Sequence, residues 1–365
     1  MKAKSFIGWL LGIALLIGAA VLCIVRWDTW FSMPEEPMWV GDTIQYRFRC
    51  FGDDAGIEMP QDTLRLCVLG DVHNNIECAQ YDSMAVRHGR LHAYAQVGDF
   101  VERCYFYWWQ ALYAELAPSA FAELPVLAVP GNHEYTKGII KTLPDEWRNI
   151  FRNPLNGPVD FVGTTYYVDF PQMRFIGLDT DGIYDLKTLL RMQTWVKWAI
   201  KGANGRFVVV IMHHPIISTG AGRQSWIRRL ALHHVLSKAD LVFAGHDHNY
   251  ARRLPFIDTN SAKKFYLSSL NRFDTRVASG YQMYEILTVT DDKLLMQTFL
   301  MDSGELYDEV VISRHDDGTR EISDHAATWQ EKIELPEKYL NRQKEIKVRR
   351  FLNKRRHREA NRIAP

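Results

Sequence analysis

Five short polar motifs could carry chemistry in this sequence: Asp71-Val72-His73, Gly98-Asp99, Gly131-Asn132-His133-Glu134, His213-His214-Pro215 and Gly245-His246-Asp247-His248. Carboxylate, imidazole and amide oxygen together suit hard-to-borderline cations such as Mn, Fe or Zn. Two such cations about 3.5–4 Å apart can clamp a phosphoryl group and activate a water for in-line attack. A pair that close needs a carboxylate between its members, because shared negative charge lowers their mutual repulsion.

Each motif closes an apolar run of strand length. Thr63–Leu69 runs into Gly70-Asp71, Ala93–Val97 into Gly98-Asp99, and Pro125–Val129 ends just before Gly131. Arg206–Met212 runs into His213, and Ala239–Ala244 into Gly245. Polar groups at strand carboxyl ends converge on one edge of an open α/β sheet, where such folds place their ligands. The spacing predicts helices over Val101–Ala117, Leu186–Lys201 and Ser225–Ser237, and further strands over Thr165–Phe170, Met173–Leu178, Phe265–Leu270, Tyr281–Val289 and Lys293–Leu300. Strands alternating with helices imply an α/β layered fold, and the later strand-rich stretch a second sheet packed on the first.

The residues around the motifs admit plainer readings. Asn74 and Asn75 suit a phosphate contact or simply turn chemistry. Asp247 is expected in solvent, and His214 beside the ligands rather than among them. Arg252-Arg253 suit a second substrate charge or a solvated strand edge. At helical spacing, Tyr105-Phe-Tyr-Trp-Trp109 reads as core more readily than as a substrate wall.

The ordered set Asp-x-His, Gly-Asp, Gly-Asn-His-Glu, His-His-Pro and Gly-His-x-His resembles the calcineurin-like metallophosphoesterases, from residue 64 to about residue 250. That resemblance implies a two-sheet β-sandwich flanked by helices, in four layers, and a dinuclear centre that hydrolyses phosphate mono- or diesters. It implies Asp71, His73 and His248 on one metal, Asn132, His213 and His246 on the other, and Asp99 bridging both. His133 would bind no metal and would stabilise charge or protonate the leaving oxygen, with Glu134 orienting its ring. Gly131–Gly138 together with Gly163–Phe170 and Phe175–Thr180 resembles the purple acid phosphatase branch in particular. Two positions depart from that branch: Glu102 stands where it has a metal-ligating tyrosine, and His73 where it has glycine. No tyrosinate-bound ferric iron is therefore expected.

The remaining features concern placement. Lys2 and Lys4 precede an uncharged apolar run, Phe6–Val25, closed by Arg26-Trp27. Its 20 residues would span roughly 30 Å as a helix. No small-x-small site follows it, so an uncleaved single-pass anchor is expected, with the catalytic domain on the extracytoplasmic side. The expected organisation is an anchor over 1–27, a linker over 28–62, the catalytic domain over 63–315 and a basic helical tail over 316–365. From Lys338 onward there are 11 Lys/Arg and 2 Asp/Glu, a charge of +9. Against a chain total of +1, the remainder carries −8. The tail suits anionic lipid, and nucleic acid is not the expected partner. A tethered scaffold using that tail on lipid or nucleic acid is the competing function. Four cysteines outside the apolar run (Cys50, Cys67, Cys78, Cys104) show no metal spacing and suit buried thiols or one or two disulfides.

Overall fold

The computed structural model describes residues 48–52, 57, 59–137, 141–220, 223–266, 268, 274–324 and 332–333. The apolar run Phe6–Val25 and the basic tail beyond residue 333 lie outside the described residues, as does most of the expected linker. Among the described residues no helix is long and apolar enough to cross a membrane.

Two mixed sheets make the body. In chain order the strands are β1 (Leu64–Leu69), β2 (Ala93–Gln96), β3 (Val126–Ala128), β4 (Tyr166–Asp169), β5 (Met173–Leu178), β6 (Phe207–Met212) and β7 (Leu241–Ala244). They continue as β8 (Asn249–Arg253), β9 (Phe256–Asp258), β10 (Arg276–Ser279), β11 (Met283–Val289), β12 (Lys293–Leu300), β13 (Leu306–Arg314), β14 (Arg320–Asp324) and β15 (Lys332–Ile333). The first sheet has the order β14-β13-β12-β11-β1-β2-β3 and the second β15-β10-β8-β9-β7-β6-β5-β4. β1, β2 and β3 run parallel, as do β5, β6 and β7. The helices are α1 (Cys78–His88), α2 (Phe106–Leu116), α3 (Asp145–Ile150), α4 (Leu186–Lys201) and α5 (Trp226–Leu236).

The sequence of the inner strands explains the layers. Phe207–Met212 is apolar at every position and every residue is buried, as a parallel strand covered on both faces must be. Val209 and Ile211 join Leu66, Val68 and Phe243 in the core between the sheets. Val208, Val210 and Met212 face the other way, onto Leu189, Met192 and Val196 of α4 and Leu232 and Val235 of α5. The second helical layer covers the opposite side, with Met84 of α1 and Trp109 and Leu112 of α2 packed on Cys67, Leu69 and Tyr94.

Several expectations are corrected here. The helix predicted over Val101–Ala117 starts only at Phe106; its first five residues form a loop whose backbone serves the site described below. Phe265–Leu270 forms no strand among its described residues, only a single bridge from Ser268 to Gly220. The expected boundary at residue 315 is crossed, because β14 pairs with β13 from Arg314↔Arg320 to Val310↔Asp324. β14 is a mostly exposed edge strand rich in charge, a composition that managed sheet edges favour and that hides the strand from pattern reading. Cys50, Cys67 and Cys104 are buried thiols, and Cys78 is a half-buried one.

Arg252 and Arg253 bind neither solvent nor an outside charge. Arg252 on β8 is fully buried and donates to Asp308 on β13 (2.6 Å) and Asp324 on β14 (2.7 Å), fastening one sheet to the other. Arg253 donates to Asp274 and Asp258.

Glu285 on β11 is a fully buried carboxyl whose Oε2 accepts from Thr259 (2.9 Å), while its Oε1 has no partner. Burial, helped by Asp308 and opposed by the Thr259 hydroxyl, pushes its pKa up to about 8. A pKa raised on folding adds stability that is complete below the unfolded value and is lost as pH climbs through the folded one. Glu285→Gln carries no such loss. Its stability relative to the parent should therefore rise from pH 4.5 to pH 8, by on the order of 2 kcal/mol at pH 7. Urea unfolding at pH 5 and pH 7 reads this directly, and a pH-independent difference would contradict it.

Candidate metal centre

The motifs meet where the two sheets present their strand ends. Asp71 and His73 follow β1, Asp99 follows β2, and Asn132 and His133 follow β3. His213 follows β6, and His246 and His248 lie between β7 and β8. The chain turns sharply at these points. Among the described non-glycine residues φ is positive at His73, Asn74, Asp99, Asn204, His246 and His248, and all but Asn204 belong to the site. Left-handed backbone outside glycine is uncommon and persists where surrounding structure holds it. Two glycines of the motifs are there for close approach. A Cβ on Gly131 would meet Asp99 Oδ1 at 2.3 Å, and one on Gly245 would meet Asp71 Oδ2 at 2.4 Å.

Each carboxylate is tied by one oxygen and offers the other. Asp71 Oδ2 accepts from the His246 amide (2.7 Å), and Asp99 Oδ1 accepts from the His133 amide (2.7 Å). Asp71 Oδ1 is buried without a hydrogen-bond partner and lies 3.4 Å from His248 Nε2 and 3.9 Å from His73 Nε2. Asp99 Oδ2 lies 3.5 Å from His73 Nε2 and 3.3 Å from His213 Nε2. His73 Nε2 faces His248 Nε2 at 3.2 Å. On the other side, His213 Nε2 faces Asn132 Oδ1 at 3.1 Å and His246 Nδ1 at 3.2 Å. Lone-pair atoms so close together, in buried surroundings, fit a cation and little else. Potential ligand atoms of Asp71, His73, Asp99 and His248 all fall within 4.8 Å of one another.

The far nitrogens are held in the way metal-binding imidazoles require. His213 Nδ1 meets the Val97 carbonyl (3.2 Å) and His248 Nδ1 the Lys264 carbonyl (3.0 Å). His73 Nδ1 lies 3.1 Å from Glu102 Oε2. That approach lacks good hydrogen-bond geometry, so Glu102 neighbours His73 Nδ1 without a hydrogen bond. His246 is the exception: its Nε2 faces Arg223 Nη2 at 2.8 Å, and the same nitrogen reaches the His246 carbonyl at 2.9 Å. A guanidinium only donates, so this contact places the His246 proton on Nδ1, and a cation at Nδ1 requires the other tautomer with Arg223 held on the carbonyl alone.

The electrostatics match. Burial would raise Asp71, but the imidazoles of His248, His213 and His73 prevail and hold its carboxyl well below the usual range. Burial likewise opposes Asp99, and His213 outweighs it to leave the carboxyl lowered. Burial pushes His73 down to about 4, and burial with His214, His213 and Arg223 pushes His246 down as well. His213 is held up to about 10, against burial, by Asp99 and Asp71. The ionised carboxylates and the neutral imidazoles of His73 and His246 are in the form that binds cations, whereas His213 carries a proton that a bound cation would have to displace.

His133 sits over this cluster. Its ring is 4.4 Å from that of His73, its Nε2 is 4.0 Å from Asp99 Oδ2, and its Nδ1 contacts the Glu102 carbonyl. The expected role of Glu134 is corrected. Its carboxylate accepts from the amides of Asp99 (2.8 Å), Phe100 (2.8 Å), Val101 (3.2 Å) and Gly131 (2.7 Å), joining the β2 loop to the β3 loop. The His133 ring is oriented by Glu102 instead.

Of the other neighbours Asp247 departs from expectation, while Asn74, Asn75 and His214 follow the plainer readings. Asp247 is fully buried and accepts from Ser218 Oγ (2.6 Å) and the Gly220 amide (2.7 Å). Asn74 is spent on the Trp108 carbonyl and the Glu102 amide, and Asn75 on the His73 carbonyl. His214 lies outside the ligand cluster, with Nδ1 3.2 Å from Asp181. Sequence reading missed the rim. A pocket of about 370 Å³ over the cluster is lined by Arg103, Lys137, Lys141 and Arg223 as well as His133 and Tyr266. The Arg223 guanidinium lies over the Tyr266 ring. Arg103, Lys141, Arg223 and Tyr266 sit in none of the motifs, so only the fold reveals them.

A two-sheet α/β fold with this cluster at its strand ends defines a class. A family model described as calcineurin-like phosphoesterase matches residues 64–250, and the chain belongs to that family of phosphoester hydrolases. Among solved structures it is similar to a purple acid phosphatase from yellow lupin (Lupinus luteus) seeds, with 16% identity and a TM-score of 0.57 over 71% of this chain and 55% of that one. The chain thus spans about half the length of the lupin protein. It is also similar to PhoD, with 10% identity and a TM-score of 0.50 over 82% of this chain and 78% of that one. Comparison with curated protein sequences gives no match.

Proposed function

We propose that this chain hydrolyses phosphate esters with two metal ions that share Asp99. The observation that carries this is the position of Asp99 Oδ2, 3.5 Å from His73 Nε2 on one side and 3.3 Å from His213 Nε2 on the other. Asp71, His73 and His248 would complete one half-site, and Asn132, His213 and His246 the other. Bound there, divalent or trivalent Mn, Fe or Zn would supply Lewis-acid charge and activate water. The chain's own groups do the rest. His133, anchored through Nδ1 on the Glu102 carbonyl, directs Nε2 into the pocket, where it can deliver a proton to the departing oxygen. Arg103, Lys137, Lys141 and Arg223 draw in and orient the anionic ester. That much positive charge favours doubly charged monoesters over diesters. The purified full chain with Mn²⁺ should turn over nitrophenyl phosphate faster than bis-nitrophenyl phosphate, and a chelator should abolish both activities. Turnover unaffected by chelation would contradict the reading.

Glu102 acts in this scheme as a positioning residue, touching the His73 ring with its side chain and the His133 ring with its backbone. Glu102→Ala should weaken metal affinity by about 10–100-fold, the usual cost of losing an outer partner of a ligating histidine. At saturating metal kcat should be nearly kept, and Glu102→Gln should restore part of the affinity. Calorimetric metal titration distinguishes this from a merely structural role, which would leave the affinity unchanged.

The apolar run Phe6–Val25 supports a single-pass anchor, with the enzyme on the extracytoplasmic side. Alkaline extraction of membranes should leave the chain in the pellet, and release into the supernatant would contradict an anchor.

A further inference from the structure

The outer faces of α4 and α5 are apolar where a water-facing helix is normally polar. Leu186 is 68% exposed, Trp226 71%, Ile227 71% and Leu230 87%, with Leu190 and Trp198 about half exposed. The fold does not require these residues, because α4 already buries Leu189, Met192 and Val196 on the sheet and α5 buries Leu232, Val235 and Leu236. Beside α4 the surface opens into a groove of about 920 Å³ lined by Val159, Leu186, Leu190, Trp195 and Trp198. Contiguous apolar surface of this kind marks a site of association.

The charge around it is predominantly basic, although Asp160 pairs with Arg191 and Asp169 with Arg206. Residues 186–239 contain nine Lys/Arg and no Asp/Glu, in a chain whose totals are 44 and 43. Both helices lie wholly inside that run, and they are neighbours, with Gln193 donating to the Ala231 carbonyl. β5, β6 and β7 are parallel, so α4 and α5 both begin at the carboxyl edge that carries the metal centre. Arg223, which touches His246, is three residues before Trp226. At 16 and 11 residues the helices are too short to span a bilayer. Lysine and arginine around leucine, isoleucine and tryptophan are what an in-plane, interfacial helix presents to lipid.

We infer that the α4–α5 face docks on an anionic phospholipid surface, with Leu186, Leu190, Trp198, Trp226, Ile227 and Leu230 at the headgroup level and the mouth of the metal centre held beside the membrane. The charge selects this occupant. The chain's own tail, at +9, would be repelled by the face, and a second copy would set two basic faces against each other. The inference is independent of what the metal centre hydrolyses; for a body on the extracytoplasmic side it requires anionic lipid in that leaflet.

The test is photolabelling of the full-length protein reconstituted with vesicles carrying a diazirine-acyl phospholipid, with adducts mapped to peptides. With phosphatidylserine present, α4 and α5 peptides should be labelled, and about tenfold less in pure phosphatidylcholine. The triple substitution Trp226→Ser, Ile227→Ser, Leu230→Ser should remove the α5 adducts without moving the thermal midpoint or the turnover in detergent. Adducts confined to residues 1–47, or equal α4–α5 labelling in both lipids, would overturn the inference. So would chemical cross-links joining these helices to a second copy or to residues 1–47.

Discussion

Asp99→Asn should lower kcat/KM on nitrophenyl phosphate by about a thousandfold or more. That corresponds to the several kcal/mol a metal pair contributes to charge stabilisation in the transition state. The residue is 2% exposed, its Oδ1 is committed to the His133 amide, and its Oδ2 is the atom nearest to both histidine groups. An amide in its place keeps the backbone contact but cannot supply charge to two cations at once. Metal content should fall with activity, since repulsion between the cations would no longer be offset. Side chains at the far ends of the two half-sites, such as Asn132, should matter less to metal content. An Asp99→Asn rate within about tenfold of the parent would remove this residue from the shared position.

Glu134→Ala should destabilise the fold by roughly 4 kcal/mol, an effect on stability as large as the first is on rate. One carboxylate accepts four backbone amides at 2.7–3.2 Å, and Glu134 is 2% exposed. Each orphaned buried donor costs about 1–3 kcal/mol, and water entering the void recovers part of the sum. Burial and the nearby Asp99 push Glu134 up to about 8, while the Gly131 and Val101 amides pull it back. Urea unfolding of the metal-free protein reads the loss without reference to catalysis. A carboxylate that merely oriented His133 would give the opposite pattern, with a reduced kcat and an unchanged midpoint.

How far these roles were legible depends on how local their causes are. Asp71, Asp99 and His213 could be placed because apolar strands deliver their carboxyl ends to one edge, a rule that needs only adjacent residues. The left-handed turns at His73, Asp99, His246 and His248 execute that delivery and appear only in the structure. Arg252, Arg253 and Asp247 were not legible, since their partners lie far along the chain: Asp308 is 56 residues beyond Arg252, and Ser218 is 29 before Asp247. Helical periodicity ran through Val101–Tyr105 although these residues are loop, because the Val101 and Glu102 amides are claimed by Glu134 and Asn74. Glu102 could be noticed only as a departure from a pattern; its contacts with His73 and His133 come from the fold of that loop. The basic rim is further removed still, assembled from three separate loops.

If two cations share Asp99, anomalous diffraction from Mn²⁺-soaked crystals of the full chain will locate both. Two peaks about 3.5–4 Å apart are expected, flanking Asp99 Oδ2, one reached by Asp71, His73 and His248 and the other by Asn132, His213 and His246. A single peak at full metal saturation, or a pair that leaves Asp99 outside both coordination spheres, would contradict a shared Asp99.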